Sequence, residues 1–262
     1  MMRALWTAAS GMIGQQQNMD VISNNIANVN TTGHKKHRAE FEDLIYQTMR
    51  RAGTTTGDDN QVPTGLQQGH GVRLSATSTI HTQGSFQHTG NSLDMAIEGE
   101  GYFQIDMPDG TTAYTRDGSF KRDSDGQIVT SDGYPLNGMG TVPENATEIT
   151  ISPEGRIEVT IPGQNDTEEI GQIELARFIN PQGLANIGKN LYAETAASGD
   201  PVTSNPGTDG AGTVVQDYLE MSNVQIVEEM VNMIVAQRAY ESNAKAVTTS
   251  DSMLEIANGL KR

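Results

Sequence analysis

Two heptad repeats of apolar residues stand at opposite ends of one chain, and they restrict its fold more than any other feature. Near the start, Leu5, Ala8, Met12, Gln15, Met19, Ile22, Ile26 and Val29 recur in strictly alternating steps of three and four. That spacing lines one side of a helix and, sustained over several turns, makes a coiled-coil seam. Near the end, Ile226, Met230, Met233, Gln237, Tyr240, Ala244, Val247, Asp251 and Leu254 repeat the rhythm from a step of four. Gln15, Gln237 and Asp251 interrupt the seams, as polar residues do where register and partner number are set at a cost in stability. The plain alternative is that both helices pack on a central domain. Their place at the extreme ends favours pairing with each other, and then with copies of the chain.

Between the helices the texture changes. Asp-Gly dipeptides fall at Asp109-Gly110, Asp117-Gly118, Asp125-Gly126, Asp132-Gly133 and Asp209-Gly210, the first four spaced like hairpin turns of a small antiparallel domain. Strands are expected at 101–105, 113–115, 119–121, 127–129, 149–151, 156–161 and 170–178. The last has Ile173, Leu175 and Phe178 on an alternating pattern. Gly/Thr-rich residues 53–71 and Pro/Gly-bearing residues 198–212 read as connectors, one leading out and one back. The fold class expected is α+β: N- and C-terminal helices pairing as a coiled coil, extended connectors, and a central antiparallel β-rich domain. The corresponding division is 1–33 with 218–262 (helical), 34–94 with 186–217 (connecting) and 95–185 (β-rich, outer).

Charge follows the same division. The 262-residue chain carries a net charge of −16, yet residues 52–220 hold 7 Lys/Arg against 24 Asp/Glu while both ends are near neutral. A hydrated middle with packed ends accounts for this, because water screens self-repulsion. Nucleic-acid binding needs the opposite sign. Hydrophobic residues reach only 35% and aromatics 5%, with 28 Gly, which suits many turns and small cores. Without cysteine there are no disulfides or thiolate metal sites. The apolar run after Arg3 is broken by Ser10-Gly11 and followed by Gln15, Gln16 and Gln17, unlike a removable secretory signal.

Catalytic and metal-binding readings find little support. Asp123-Ser124-Asp125-Gly126 resembles the start of a calcium loop but lacks an oxygen ligand at Gln127 and the closing Glu, so a hairpin turn between Phe120 and Ile128 explains it better. His34, His37, His70, His81 and His88 include no i, i+4 pair, and Lys35, Lys36 and Arg38 surround the first two. Carboxylate pairs are inevitable among 33 Asp/Glu and discriminate nothing. Gly99-Glu100-Gly101 lacks the third glycine of a nucleotide loop, and there is no Gly-x-Ser-x-Gly elbow. The expectation is a non-enzyme with no catalytic residue, metal or cofactor.

Residues 20–33, with Asn24, Asn25, Asn28, Asn30, Thr31, Thr32 and Gly33, resemble the N-terminal signature shared by flagellar rod and hook proteins. Asn223-Val224, Glu228 to Ile234 and Gln237 to Glu241 resemble the same family's C-terminal helix. Residues 96–103 and 114–120 resemble its β-domain motifs, so the likeness covers essentially the whole chain. The stretch 62–72, with Pro63, Gly65, Leu66, Gly69 and Gly71, is similar to the segment typical of distal-rod members. One departure is His34, where the family commonly has an aromatic.

The resemblance implies a structural subunit of the bacterial flagellar distal rod, in the basal body between periplasm and outer membrane. It would self-assemble into a rigid tubular drive shaft that passes motor torque to the hook. It implies a homopolymer that meets proximal rod subunits, the hook protein, and the peptidoglycan and outer-membrane ring proteins. Export would run through the flagellar type III apparatus, without a cleaved signal peptide or a membrane span. Another axial subunit (proximal rod or hook) is the alternative within the family; a secreted wall-active enzyme or adhesin is the one outside it. The Asn cluster suits a helix C-terminus, with Gly33 free to take positive φ. Residues 53–71 suit an extended segment laid along a neighbour.

Overall fold

A computed structural model of the chain describes residues 2–53, 63–143, 145–162 and 167–259. The backbone divides into two compact units: Met1–Ile26, His37–Ser78 and Gln225–Arg262 form one, and Ala27–Lys36 with Thr79–Val224 form the other. The class is α+β.

The first unit holds helix α1 (Met2–Ala27) and helix α2 (Ile226–Gly259). Glu228 and Glu229 lie in the first turn of α2, where a carboxylate complements the helix dipole. Strand His37–Asp43 pairs with Val72–Thr79, and Gln47–Arg50 pairs antiparallel with Leu66–Gln68. Helix α1 rests on this ribbon: a Cβ at Gly14 would stand 3.3 Å from the Phe41 ring, and Arg3 Nη1 donates to Gln68 Oε1 at 3.0 Å. Residues 54–62 of the expected extended segment lie outside the described residues, whereas 66–68 form one strand of a hairpin.

The second unit is built on a six-stranded antiparallel sheet. Its order is Ala185–Gly188, Leu191–Ala193, Thr112–Thr115, Tyr102–Asp106, Leu175–Arg177, Val202–Ser204. A three-stranded antiparallel sheet (Glu148–Ile151, Arg156–Thr160, Glu168–Gln172) lies in the same unit. Period-two alternation gives strand Tyr102–Asp106 two different faces. Phe103 and Ile105 enter the main core with Met95, Ile97, Phe120, Ile128, Ile157, Ile173 and Leu175. Tyr102 enters a second cluster with Tyr114, Ala176 and Tyr192.

The Asp-Gly positions separate by role. Asp109-Gly110 turns the hairpin between 102–106 and 112–115, and Asp125-Gly126 turns the one between 121–122 and 128–129. Asp132-Gly133 closes a further turn, Gly133 N donating to Thr130 O at 2.9 Å. Asp117-Gly118 is not a hairpin turn: the glycine is required because the Met95 carbonyl lies where a Cβ would be.

Two expectations about strands change. The single strand expected at 170–178 is two, Glu168–Gln172 and Leu175–Arg177, in different sheets. Ile173 sits between them, its N–H donating to Gly155 O at 2.7 Å, and both Ile173 and Leu175 fill one core despite the break. Residues 185–204, expected mainly as return connector, supply three strands to the six-stranded sheet. Strands of only three or four residues carry too weak a periodicity to be read as strands.

Candidate functional site

The N-terminal signature ends in a tight turn and then meets two other motifs. Thr31 N donates to Asn28 O at 3.2 Å and Thr31 Oγ1 to Asn28 Oδ1 at 3.2 Å, which closes the turn after α1. Gly33 follows at φ 67, with its N–H on Glu220 O at 2.8 Å. A Cβ there would stand 2.6 Å from the Asp117 backbone nitrogen, so the left-handed conformation and the close approach both demand glycine.

Two residues on, Lys35 is 1% exposed. Its Nζ donates to Glu220 Oε1 at 2.6 Å and to Thr82 O at 2.9 Å. Glu220, also 1% exposed, ends strand Tyr218–Glu220 and accepts at Oε1 from Gly84 N at 2.8 Å. Its Oε2 faces Arg116 Nε at 3.3 Å. Arg116 is 5% exposed, donates from Nη2 to Gly99 O at 2.7 Å, and lies 5.8 Å from the Tyr102 ring centroid. Lys35, Arg116 and Glu220 therefore form a buried ionic clasp of two cations on one carboxylate. Burial pushes the Lys35 ammonium below its ordinary value, Glu220 pulls it back up, and Arg116 pushes it down again. Next to the clasp, Asn223 accepts at Oδ1 from Lys36 N at 2.7 Å and donates from Nδ2 to Ile80 O at 2.8 Å. Segments from three distant stretches (33–36, 116 and 220–223) are thus tied at one place.

A second junction lies within the helical unit. Asn25, fully buried, pairs with both backbone groups of His37: Nδ2 donates to its O at 2.8 Å, and Oδ1 accepts from its N at 2.9 Å. Nδ2 also donates to Glu229 Oε2 at 3.1 Å, in the first turn of α2. This amide therefore joins α1, the first strand and α2; it does not cap its own helix. Asn24 and Asn30 are exposed, and Asn28 and Thr32 half-buried.

A Cβ at Gly11 would stand 2.8 Å from Asn243 Nδ2. With Asn25 against Glu229, this makes α1 and α2 antiparallel, each advancing fourteen residues between the two meeting points. On α1 the expected seam faces inward: Ala8 and Ile22 are buried, while Leu5, Met12, Gln15, Met19 and Ile26 are half-buried, as is Val29 beyond the helix end. On α2 the covered line runs through Glu229, Met233, Ala236, Asn243, Val247, Ser250 and Leu254. It shares Met233, Val247 and Leu254 with the expected seam and is turned by one residue elsewhere. Ala244 is half-buried, whereas Ile226, Met230, Gln237, Tyr240 and Asp251 are exposed. A hydrophobicity reading passes over Ala236 and Asn243 because close approach, not apolar bulk, places them inside.

In the segment 63–71, Pro63, Gly65 and Leu66 are exposed. Gly69 packs under the Tyr46 ring, and Gly71 lies against Ser10 of α1. Residues sequence reasoning missed are Lys35, Arg116 and Glu220. Arg116 stands inside one of the quoted β-domain motifs, but no local spacing links it to the other two. His34 is half-buried, its N–H on Thr31 O at 3.4 Å. No group of metal-ligating side chains occurs among the described residues, and no described helix is long and apolar enough to cross a membrane.

Three family models match the chain: Flagella basal body rod protein at residues 5–35, Flagellar hook protein FlgE/F/G D1 domain at 96–159, and Flagellar basal body rod FlgEFG protein C-terminal at 215–260. The flagellar basal-body rod protein FlgG of Borreliella burgdorferi is 58% identical over 264 residues, covering all of both chains. That of Bacillus subtilis is 44% identical over 270 residues, again covering both in full. The flagellar hook protein FlgE of Helicobacter mustelae is 43% identical over 71% of this chain and 40% of its own. Each clasp residue lies in or beside a matched segment: Lys35 in the first, Arg116 in the second, Glu220 in the third.

Proposed function

The chain belongs to the flagellar basal-body rod protein FlgG family and is a structural subunit of the flagellar distal rod; from there, we propose that it polymerises through its terminal helices into a rigid tubular drive shaft carrying torque to the hook. The observation that carries this is the outward side of α2. Val227 is 76% exposed, Val235 62%, and Met230, Val231 and Ile234 each more than half. Over residues 226–236 α2 is apolar on most of its circumference, and a helical segment of that kind is a buried one. Among the described residues of the single chain only one side of α2 is covered, and further copies of the same chain would cover the other. The residues expected in the C-terminal seam but exposed here, Ile226, Met230 and Tyr240, lie on this uncovered side and serve contacts between copies.

In this reading α1 and α2 pair as a coiled coil inside the tube. Residues 1–33 and 218–262 make that helical part, 34–94 and 186–217 connect, and 95–185 lie outside. Pro63, Gly65, Leu66, Gly69 and Gly71 belong to a hairpin that also exposes Ile45, Tyr46 and Met49. That exposed apolar surface suits an axial contact that keeps the rod straight. The chain works without catalysis or cofactor. Its neighbours are other copies, the proximal rod, the hook protein and the ring proteins, and it arrives through the flagellar export apparatus. Helices with this content of Gln, Ser and Asn are marginal alone and become ordered as neighbours bury them.

Truncation tests the reading. Protein lacking residues 1–30 or 223–262 keeps Lys35, Arg116 and Glu220, so the β-rich unit is expected to stay soluble and folded while polymerisation and motility are lost. A truncated chain that still enters the rod and supports swimming would overturn it.

A further inference from the structure

The β-rich unit holds a cavity of about 550 Å³, open to solvent, with Arg116 in its lining. Arg177, Tyr102, Phe178, Gly99, Glu100 and Gly101 share that lining, and Ile179 and Pro181 stand there too. Arg116 faces Glu220 Oε2 with Nε as an ion pair and donates from Nη2 to Gly99 O; its Nη1 is buried without a hydrogen-bond partner among the described residues. Arg177 is similar: its Nη1 donates to Asp209 O, while its buried Nε has no partner among the described residues. Its ion pair to Glu100, at 3.5 Å, is to a side chain 80% exposed and adds little. Lys35 and Arg116 also share the single carboxylate of Glu220, leaving one positive charge in excess in a place from which water is largely removed. A buried charge without a counter-charge is costly, and an arginine edge with an idle N–H is shaped for a carboxylate.

The geometry points to a carboxylate-binding site at this cavity, filled in the assembled rod by an Asp or Glu side chain of a second copy of the chain. Two observations favour a protein occupant over a free acid. Ile179, 88% exposed, makes an apolar edge that a small anion would leave wet. The neighbour met most often in a polymer is the chain itself, and residues 52–220 of that neighbour carry 24 Asp/Glu. A carboxylate there would offset the excess charge beside Arg116 and meet the partly exposed guanidinium end of Arg177, while Ile179 is covered by the segment that bears it. This assignment rests on the rod reading, because a monomer has no second copy to offer.

The test has two arms. Full-length protein is titrated with N-acetylglutamate and separately with N-acetylglutamine, following the amide resonances of Gly99 and Gly101. Saturable shifts with the acid alone are expected, with affinity reduced roughly tenfold or more in Arg177→Gln. In cells, a photo-crosslinking residue replaces Ile179, and in a control strain Val227 on the outward side of α2. Covalent pairs of this chain are expected from both positions, the peptide captured at 179 carrying Asp or Glu. Shifts that do not distinguish acid from amide, or that Arg177→Gln leaves unchanged, overturn the carboxylate site. Acid-selective shifts with self-pairs at 227 but not at 179 overturn the second-copy assignment and leave a site for free acids. Loss of self-pairs at both positions overturns the rod reading, and the second-copy assignment falls with it.

Discussion

Glu220 accepts at Oε1 from Lys35 and Gly84 while its Oε2 faces the Arg116 guanidinium as an ion pair, and all three ionic side chains are at most 5% exposed. Glu220→Gln keeps the shape but leaves two buried cations without a counter-charge, and is expected to destabilise the β-rich unit by about 3–5 kcal/mol. Lys35→Met should cost less, since one cation then matches one carboxylate. Urea unfolding followed by the near-ultraviolet dichroism of the tyrosines measures both, and equal stability of Glu220→Gln and the parent would refute the clasp. The tyrosines themselves set an alkaline limit. Burial pushes the phenols of Tyr114 and Tyr192 up to about 12 from an ordinary 10.0. Between those values the unfolded chain releases protons that the folded chain keeps, so stability falls as pH rises from 10 to 12. Lys35 acts in the opposite sense, because its folded value is lowered and stability rises with pH up to its unfolded value of 10.5. Above pH 10.5 Lys35 no longer opposes the tyrosine effect, and Tyr192→Phe is expected to flatten the decline there. An unchanged slope would contradict the assignment.

Helix α2 presents two apolar sides with different duties. Ala236, 2% exposed, lies on the covered line through Glu229 and Asn243, where Gly11 of α1 comes close. Ala236→Leu is expected to overpack that line and lower the melting stability of the helical unit by about 1–3 kcal/mol. Val231 and Ile234, each just over half exposed, should tolerate Glu in the isolated chain. In a polymer the same Glu would bury a charge against a neighbour. Val231→Glu therefore leaves the melting curve of the monomer unchanged while abolishing polymerisation, read by dichroism and by sedimentation. If Val231→Glu polymerises normally, the outward side is not an interface.

The whole molecule combines near-neutral ends with a middle in which 24 acidic residues face 7 basic ones. On the proposed reading, in which the shaft turns inside rings, it needs many shallow contacts, because each deep one adds a barrier to rotation. An acidic surface with no long apolar run meets that need, and its reach is limited to about 8 Å at physiological salt. Reversing six exposed carboxylates around the β-rich unit to Lys should slow rotation, and more so at low salt. Unchanged torque–speed behaviour with normal rings at both salt concentrations would leave the acid only a solubilising role.

Spacing along the chain was enough to determine two helical ends, their heptad rhythm, an antiparallel middle and three of its Asp-Gly turns. These are local properties, set by which side of a helix or strand each residue occupies and by which backbone angles glycine allows. Tertiary structure decided the rest. It turned the covered line of α2 onto Glu229, Ala236 and Asn243, because the approach of α1 selects small and hydrogen-bonding side chains over larger apolar ones. It assigned Asn25 to the backbone of His37 in place of its own helix end. It also brought Lys35 to Glu220 across 185 positions. A charge registers in sequence only as a solvated residue, and whether it is buried and paired depends on chain closure that no local spacing encodes.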